Sequence, residues 1–335
     1  MFSTGYLWLG EYKMSIAVVG SIHADFYVKV KRFPQPDETV VGSDYALYPG
    51  GKGANQAVGC ARLGVETYMI GAVGNDHIGS MLIDNLARNG VRIDYVYRAN
   101  CSSGVAFIIL NEETRENMII VSPGADNAVT PQHVEDSLKN LREKVKILLT
   151  QLEIPVETVY RSLEMAKEFG MLTILNPAPA RSLDKNIFRF VDIAVPNRIE
   201  LHQLTGVKIE SIEDVFRASE KLLEWGVKAV VTTLGSRGAA IATHSMKTVV
   251  GAFNVPVVDT TGAGDAFVAG LAAALLENRE IVDAVRFANA VAALKITRMG
   301  AQSMPTRSEV EDFMKSYERV VVELVGQPSD KAFKF

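Results

Sequence analysis

The strongest chemical signal in the sequence is the segment Asp259-Thr260-Thr261-Gly262-Ala263-Gly264-Asp265-Ala266-Phe267. Residues 254–258 read as a strand leading into it, and residues 266–276 as a strongly apolar helix leaving it. Glycines let the backbone turn tightly and bring N–H groups close to a ligand. At a helix N-terminus the first four donors lack intrahelical partners and the dipole is positive. Such a site holds a phosphate or a developing anion. Asp265 opens the same helix. Aspartate is also a good N-cap, and an isolated Gly-Asp pair would be read that way. Two glycines and two aspartates in one turn point instead to a catalytic anion site. The helix N-terminus is expected to keep Asp265 ionised.

Two further segments offer polar groups beside glycines. Gly50-Gly51-Lys52-Gly53-Ala54-Asn55-Gln56 places Lys52 and Asn55 where they can face a hydroxylated ligand, or forms a glycine turn before a helix. Gly20-Ser21-Ile22-His23-Ala24-Asp25 follows the first strand, and strand ends line the ligand crevice in open α/β sheets. Asp25 can accept two hydroxyl hydrogen bonds, and His23, two residues earlier, faces the same way on an extended strand. The phosphates of a nucleotide would need a cradle, yet no Gly-x-x-x-x-Gly-Lys-Ser/Thr loop occurs and no Gly-x-Gly-x-x-Gly fingerprint. A dinucleotide oxidoreductase is disfavoured on that ground.

The elements that position these segments alternate. Strand-like runs at 15–19, 67–73, 146–150, 172–175, 191–195 and 228–234 are separated by helix-like runs at 56–63, 77–89, 155–169 and 212–225. Helices at 266–276, 281–296 and 307–322 close the chain. This alternation predicts an α/β fold, a doubly wound and mostly parallel sheet flanked by helices. Two stretches break the pattern. Residues 25–48 hold strand-like runs at 26–30 and 39–41, and residues 95–121 hold runs at 105–110 and 118–121, with no crossover helix. They are expected to form a small β-sheet lid over one edge of the main domain. Its second face would be exposed in a monomer, so a homodimer through the lid is expected.

The net charge of −4 argues against a basic nucleic-acid binder. No segment reaches the roughly 20 apolar residues of a membrane span. Two cysteines cannot build a disulfide framework, which fits a cytoplasmic protein. Residues 1–13 read as an extension, 14–325 as the folded domain and 326–335 as a polar tail.

Together the segments resemble the ribokinase-type (PfkB) carbohydrate kinase family, from about Ser15 to about Phe313. The two glycine segments match the family's signature regions. Gln151-Leu152-Glu153, Asn176-Pro177-Ala178-Pro179-Ala180, Pro196-Asn197 with Glu200, Thr233-Leu234-Gly235-Ser236-Arg237-Gly238 and Thr297-Arg298-Met299-Gly300-Ala301-Gln302 extend the match. The resemblance implies ATP-dependent phosphorylation of the primary hydroxyl of ribose. Deoxyribose, another sugar or a nucleoside remains an alternative acceptor, and a non-catalytic sugar-binding regulator is a rival of another class. Asp265 would be the base, and Gly262, Ala263 and Gly264 the anion hole. His23, Asp25, Gly51, Lys52, Gly53, Asn55 and Glu153, together with Asp265, would bind the sugar. Asn197 and Glu200 would lie near the phosphates and hydrated Mg²⁺. Thr233, Gly235, Ser236, Gly238, Gly264 and Asn289 would line the nucleotide pocket. Asp259 and Thr261, with carbonyls or side chains of Lys295, Arg298, Gly300 and Ser303, would hold an activating potassium ion. Three positions depart from the pattern: His23 replaces a usual asparagine next to the sugar, Arg198 an acidic residue, and Lys295 a small one.

Overall fold

The computed structural model describes residues 14–114 and 116–324; the extension at 1–13 and the tail at 326–335 lie outside the described residues. The chain starts with β1 (Ser15–Val19), β2 (His23–Val30), β3 (Asp44–Gly50), α1 (Lys52–Arg62), β4 (Glu66–Gly74), α2 (His77–Arg88) and β5 (Arg92–Ala99). It continues with β6 (Gly104–Asn111), β7 (Asn117–Ser122), α3 (Pro131–Leu141), β8 (Val145–Thr150), α4 (Val156–Glu168) and β9 (Leu172–Leu175). Then come β10 (Ile193–Ala194), α5 (Arg198–Thr205), α6 (Ile212–Glu224), β11 (Ala229–Thr233), β12 (Ala239–Thr243) and β13 (Lys247–Val250). Helices α7 (Ala263–Leu276), α8 (Ile281–Ile296) and α9 (Arg307–Leu324) complete the described chain.

The main sheet has nine strands in the order β13-β12-β11-β10-β9-β8-β1-β4-β5. It is parallel from β5 to β11 and antiparallel at the β11-β12-β13 edge. Every residue of β1 is buried, as a central strand covered by helices on both faces requires. Separate apolar clusters fill the two sides of the sheet. Helix α7 is apolar nearly all round because it lies between α1 and α8 in the core. Small residues permit that fit: a Cβ on Gly270 would lie 2.9 Å from the Ala288 Cα on α8.

The second sheet has the order β3-β2-β6-β7. Residues 39–41 form no strand, because they lie beyond the last paired residues, Lys29 with Asp44. Residues 95–99 belong to β5 of the main sheet and pair with β4 rather than with the small sheet. Register sets the two faces of the small sheet. One carries the rows Tyr45–Val28–Ile109–Met118 and Leu47–Phe26–Phe107–Ile120, whose Tyr45, Val28, Met118, Leu47, Phe107 and Ile120 are exposed. The other carries Asp25, Tyr27 and Tyr48; the two tyrosines pack edge to face beside Thr261 and Gly300 of the main fold. His23, Gly50 and Gly104 share one row where the small sheet joins the body.

Candidate active site

Asp265 sits in the first turn of α7, buried, and is not a cap. The helix starts three residues before the position expected from sequence, with Gly262 as N-cap at φ 77°. A Cβ there would lie 2.6 Å from the Ala301 carbonyl oxygen, so only glycine makes this turn without strain. The Asp265 carboxylate accepts from Asn55 Nδ2 at 2.8 Å and from Gln56 Nε2 at 3.1 Å, both on α1. Gln56 is itself fixed, donating to Asn176 Oδ1 at 3.1 Å and accepting from Gln151 Nε2 at 2.6 Å. Burial pushes the Asp265 carboxyl above the ordinary carboxylate range, against the Lys52 charge and the two amide donors. The expected low-pKa carboxylate is thus corrected: desolvation outweighs the field of the helix terminus.

The segment before this turn forms no strand at 254–258. Its backbone N–H groups go elsewhere, Asn254 to the Tyr317 hydroxyl and Val258 to the Ile296 carbonyl at the end of α8. Within the turn, the Ala263 N–H is taken by the Thr260 carbonyl, which leaves the N–H groups of Gly264 and Asp265 as the first-turn donors.

Two adjoining cavities meet at Gly264. The larger, about 430 Å³, is lined by Thr233, Gly235, Ser236, Gly238, Phe253 and Asn289 among others. Asn289 donates to the carbonyls of Val250 and Gly251 at 3.1 Å each, which fixes the chain after β13. The smaller, about 200 Å³, is polar and holds Lys52, Asn176, Asn197, Glu200 and Asp265. Thr233, Thr260, Ala263 and Gly264 line both. Asn197 caps α5 in a reciprocal box with Glu200, whose carboxylate accepts the Asn197 N–H at 2.7 Å and Nδ2 at 2.8 Å. Burial raises the pKa of Glu200.

Asp25, Gly51, Gly53, Asn55 and Glu153 lie around Lys52, outside the wall of either cavity. Glu153 Oε2 accepts from Ser21 Oγ at 2.5 Å and from the Lys52 N–H at 2.9 Å. A Cβ on Gly53 would lie 2.7 Å from the backbone of Gly20 and Ser21, so the two glycine segments touch. The buried Asn55 Oδ1 has no hydrogen-bond partner among the described residues. Burial works against the charge on Lys52, but Asp265, Glu153, Glu200 and Asp25 outweigh it and raise its pKa.

His23 is buried with both ring nitrogens engaged: Nδ1 lies 3.2 Å from Asp126 Oδ2 and Nε2 lies 3.4 Å from Asp25 Oδ1. Asp126, 1% exposed, also accepts the Ile22 N–H at 2.7 Å. Burial opposes a charged imidazole, yet the two flanking carboxylates win and push its pKa up to about 10. Sequence reasoning did not single out Asp126; its only local mark is the polar turn after β7. Gln56 and Gln151 were visible within motifs but carried no assigned role.

Of the residues grouped for a cation, Asp259 accepts the Thr261 N–H at 2.9 Å and the Gly300 N–H at 2.8 Å. These bonds and Lys295 hold its pKa below the ordinary value, against the effect of burial. Ser303 Oγ donates to the Gly300 carbonyl at 2.7 Å. Arg298 turns away to Glu309, with Nη2 2.7 Å from Oε1.

The family model described as pfkB family carbohydrate kinase matches residues 13–307. A ribokinase of Bacillus subtilis is 40% identical over 302 residues, covering 90% of this chain and 99% of that protein. A deoxyribokinase of Salmonella typhi is 34% identical over 308 residues, covering 91% and 100%. The solved structure of Arabidopsis thaliana ribokinase complexed with ribose and ATP superposes with a TM-score of 0.86 at 34% identity, covering 90% of this chain and 99% of that one.

Proposed function

The chain belongs to the pfkB family of carbohydrate kinases, and from that premise we propose that it transfers the γ-phosphoryl of ATP to the primary hydroxyl of D-ribose. One observation carries the reading: Asp265, buried and fixed by Asn55 and Gln56, lines the smaller, polar cavity directly after Gly264, where that cavity meets the larger one. ATP occupies the larger cavity, with its phosphates directed to the smaller one. Ribose lies on the other side of Asp265, among Asp25, Gly51, Lys52, Gly53, Asn55 and Glu153. The free Asn55 Oδ1 suits a sugar hydroxyl as donor. His23 acts on the sugar through Asp25, since its own nitrogens are taken.

As the O–P bond forms, the hydroxyl proton passes to Asp265, whose raised pKa makes it a better base at neutral pH. The N–H groups of Gly264 and Asp265 and the Lys52 ammonium stabilise the charge on the transferring phosphoryl. Mg²⁺ fits this site, because it keeps water ligands and binds through phosphates and one or two carboxylates. Glu200, with Asn197, would supply that group, and Mg²⁺ held there would neutralise phosphate charge.

The small sheet of the kinase domain serves as the lid over the sugar, and its exposed apolar face meets a second copy of this chain. No helix among the described residues is long and apolar enough to cross a membrane. The free thiols of Cys60 and Cys101 suit the reducing cytoplasm. The deciding assay is ADP release with a panel of pentoses, hexoses and nucleosides. Ribose should give the highest kcat/KM; a clear preference for deoxyribose or a nucleoside would replace the proposed acceptor.

A further inference from the structure

The residues grouped for a potassium ion do not fit one. Lys295 is 0% exposed. Its ammonium donates to the Asp259 carbonyl at 2.9 Å and lies 3.8 Å from Asp259 Oδ2. Four of the oxygens that would coordinate a metal already accept hydrogen bonds: both carboxylate oxygens of Asp259, the Gly300 carbonyl, and the Lys295 carbonyl, which accepts the Arg298 N–H. A second cation added here would be repelled by the ammonium at short range in a poorly solvated place.

We propose that the Lys295 ammonium is this chain's built-in monovalent cation, so that the site beside the anion hole works without potassium. The inference rests on the kinase reading of that site. The ammonium ties down the carbonyl of Asp259, the residue that begins the 259–264 turn, and so holds the Gly262 cap and the Gly264 donor in place. Its charge also adds positive field beside the phosphoryl position. Burial lowers the Lys295 pKa, while the adjacent Asp259 carboxylate and the direct hydrogen bond to the Asp259 carbonyl favour the charged form. Unlike a bound ion, it cannot dissociate.

The test compares sodium, lithium and potassium chloride at equal ionic strength, after exhaustive dialysis. Melting curves of the wild-type chain without sugar or nucleotide should coincide in the three salts, and its phosphorylation rates should coincide as well. Lys295→Ala should lose about tenfold of kcat in sodium, less than the roughly 10²–10³ lost with a direct anion-hole donor, because Lys295 acts by holding the turn. In that variant potassium should raise both the melting midpoint and the rate, by entering the space vacated. A wild-type midpoint or rate that rises with potassium alone overturns the proposal, and so does full activity of Lys295→Ala in sodium. Should the variant not fold in any salt, the wild-type series decides alone. The melts need no substrate, so an error in the proposed acceptor leaves them interpretable.

Discussion

Asp265 shows how far a single residue can be read without coordinates. Its type, its two glycines and the helix that follows mark it as a chemical group. Its setting is not local. Asn55 and Gln56 come from a helix more than 200 residues earlier, and their donation, together with burial, decides its proton affinity. The helix start was misplaced for a related reason. Gly262 and Gly264 weaken any helical reading of the turn, although the backbone is helical from Ala263. Asp265→Asn removes the base while keeping the shape. We expect kcat to fall by about 10²–10⁴, the usual contribution of a positioned base. Sugar and ATP affinity, read by calorimetry, should persist. Loss of a buried charge offsets the new contact between amide donors, so stability should change by no more than about 2 kcal/mol. A folded variant with near-normal kcat would remove Asp265 from the chemistry.

Between elements, the least legible feature is the tie from β2 to the turn after β7. His23 and Asp126 are separated by 103 residues, and nothing in either local pattern announces the other. Only the return of the chain from the small sheet brings them together. The alternation of strands and helices, by contrast, was legible, because each crossover helix carries its own periodicity and stop signal, as at Gly226 after α6. The run at 254–258 misled because its β-branched residues suit a strand while its neighbour is a helix end. The His23–Asp126 tie has a pH signature. The imidazole pKa is about 10 in the fold and about 6.5 unfolded. Its stabilising contribution is therefore complete below about pH 6.5 and lost as pH rises through about 10. Chemical denaturation at several pH values should show that decline in the wild type and lose the His23 share in His23→Asn. That variant leaves Asp126 buried without its cation, at a cost of about 3–5 kcal/mol. His23→Asn with Asp126→Asn should recover most of it and shift the ranking of sugars through KM. If the double variant is no more stable than the single one, the two residues are not coupled.

For the whole molecule, the sequence foretold two sheets but not the division between them, since β5 has the composition of a small-sheet strand and the location of a main-sheet edge. The outward rows of the small sheet give a firmer basis for association than composition did, because register gathers Tyr45, Leu47, Phe107, Met118 and Ile120 on one face. Light scattering at micromolar concentration should report a dimer. Ile120→Lys, placing a charge on a residue 61% exposed, should shift the mass to that of one chain. A wild-type monomer with full activity would refute association through this face. The row of His23, Gly50 and Gly104 has a mechanical consequence. A rigid rotation of the small sheet by about 10° about that row would carry the far end of β2 some 4 Å, given about 3.3 Å per residue. Asp25, two residues from the row, would move only about 1 Å. The sugar-holding carboxylate thus stands at the fulcrum of a lever, where a wide opening at the tip and an almost stationary grip at the base are compatible.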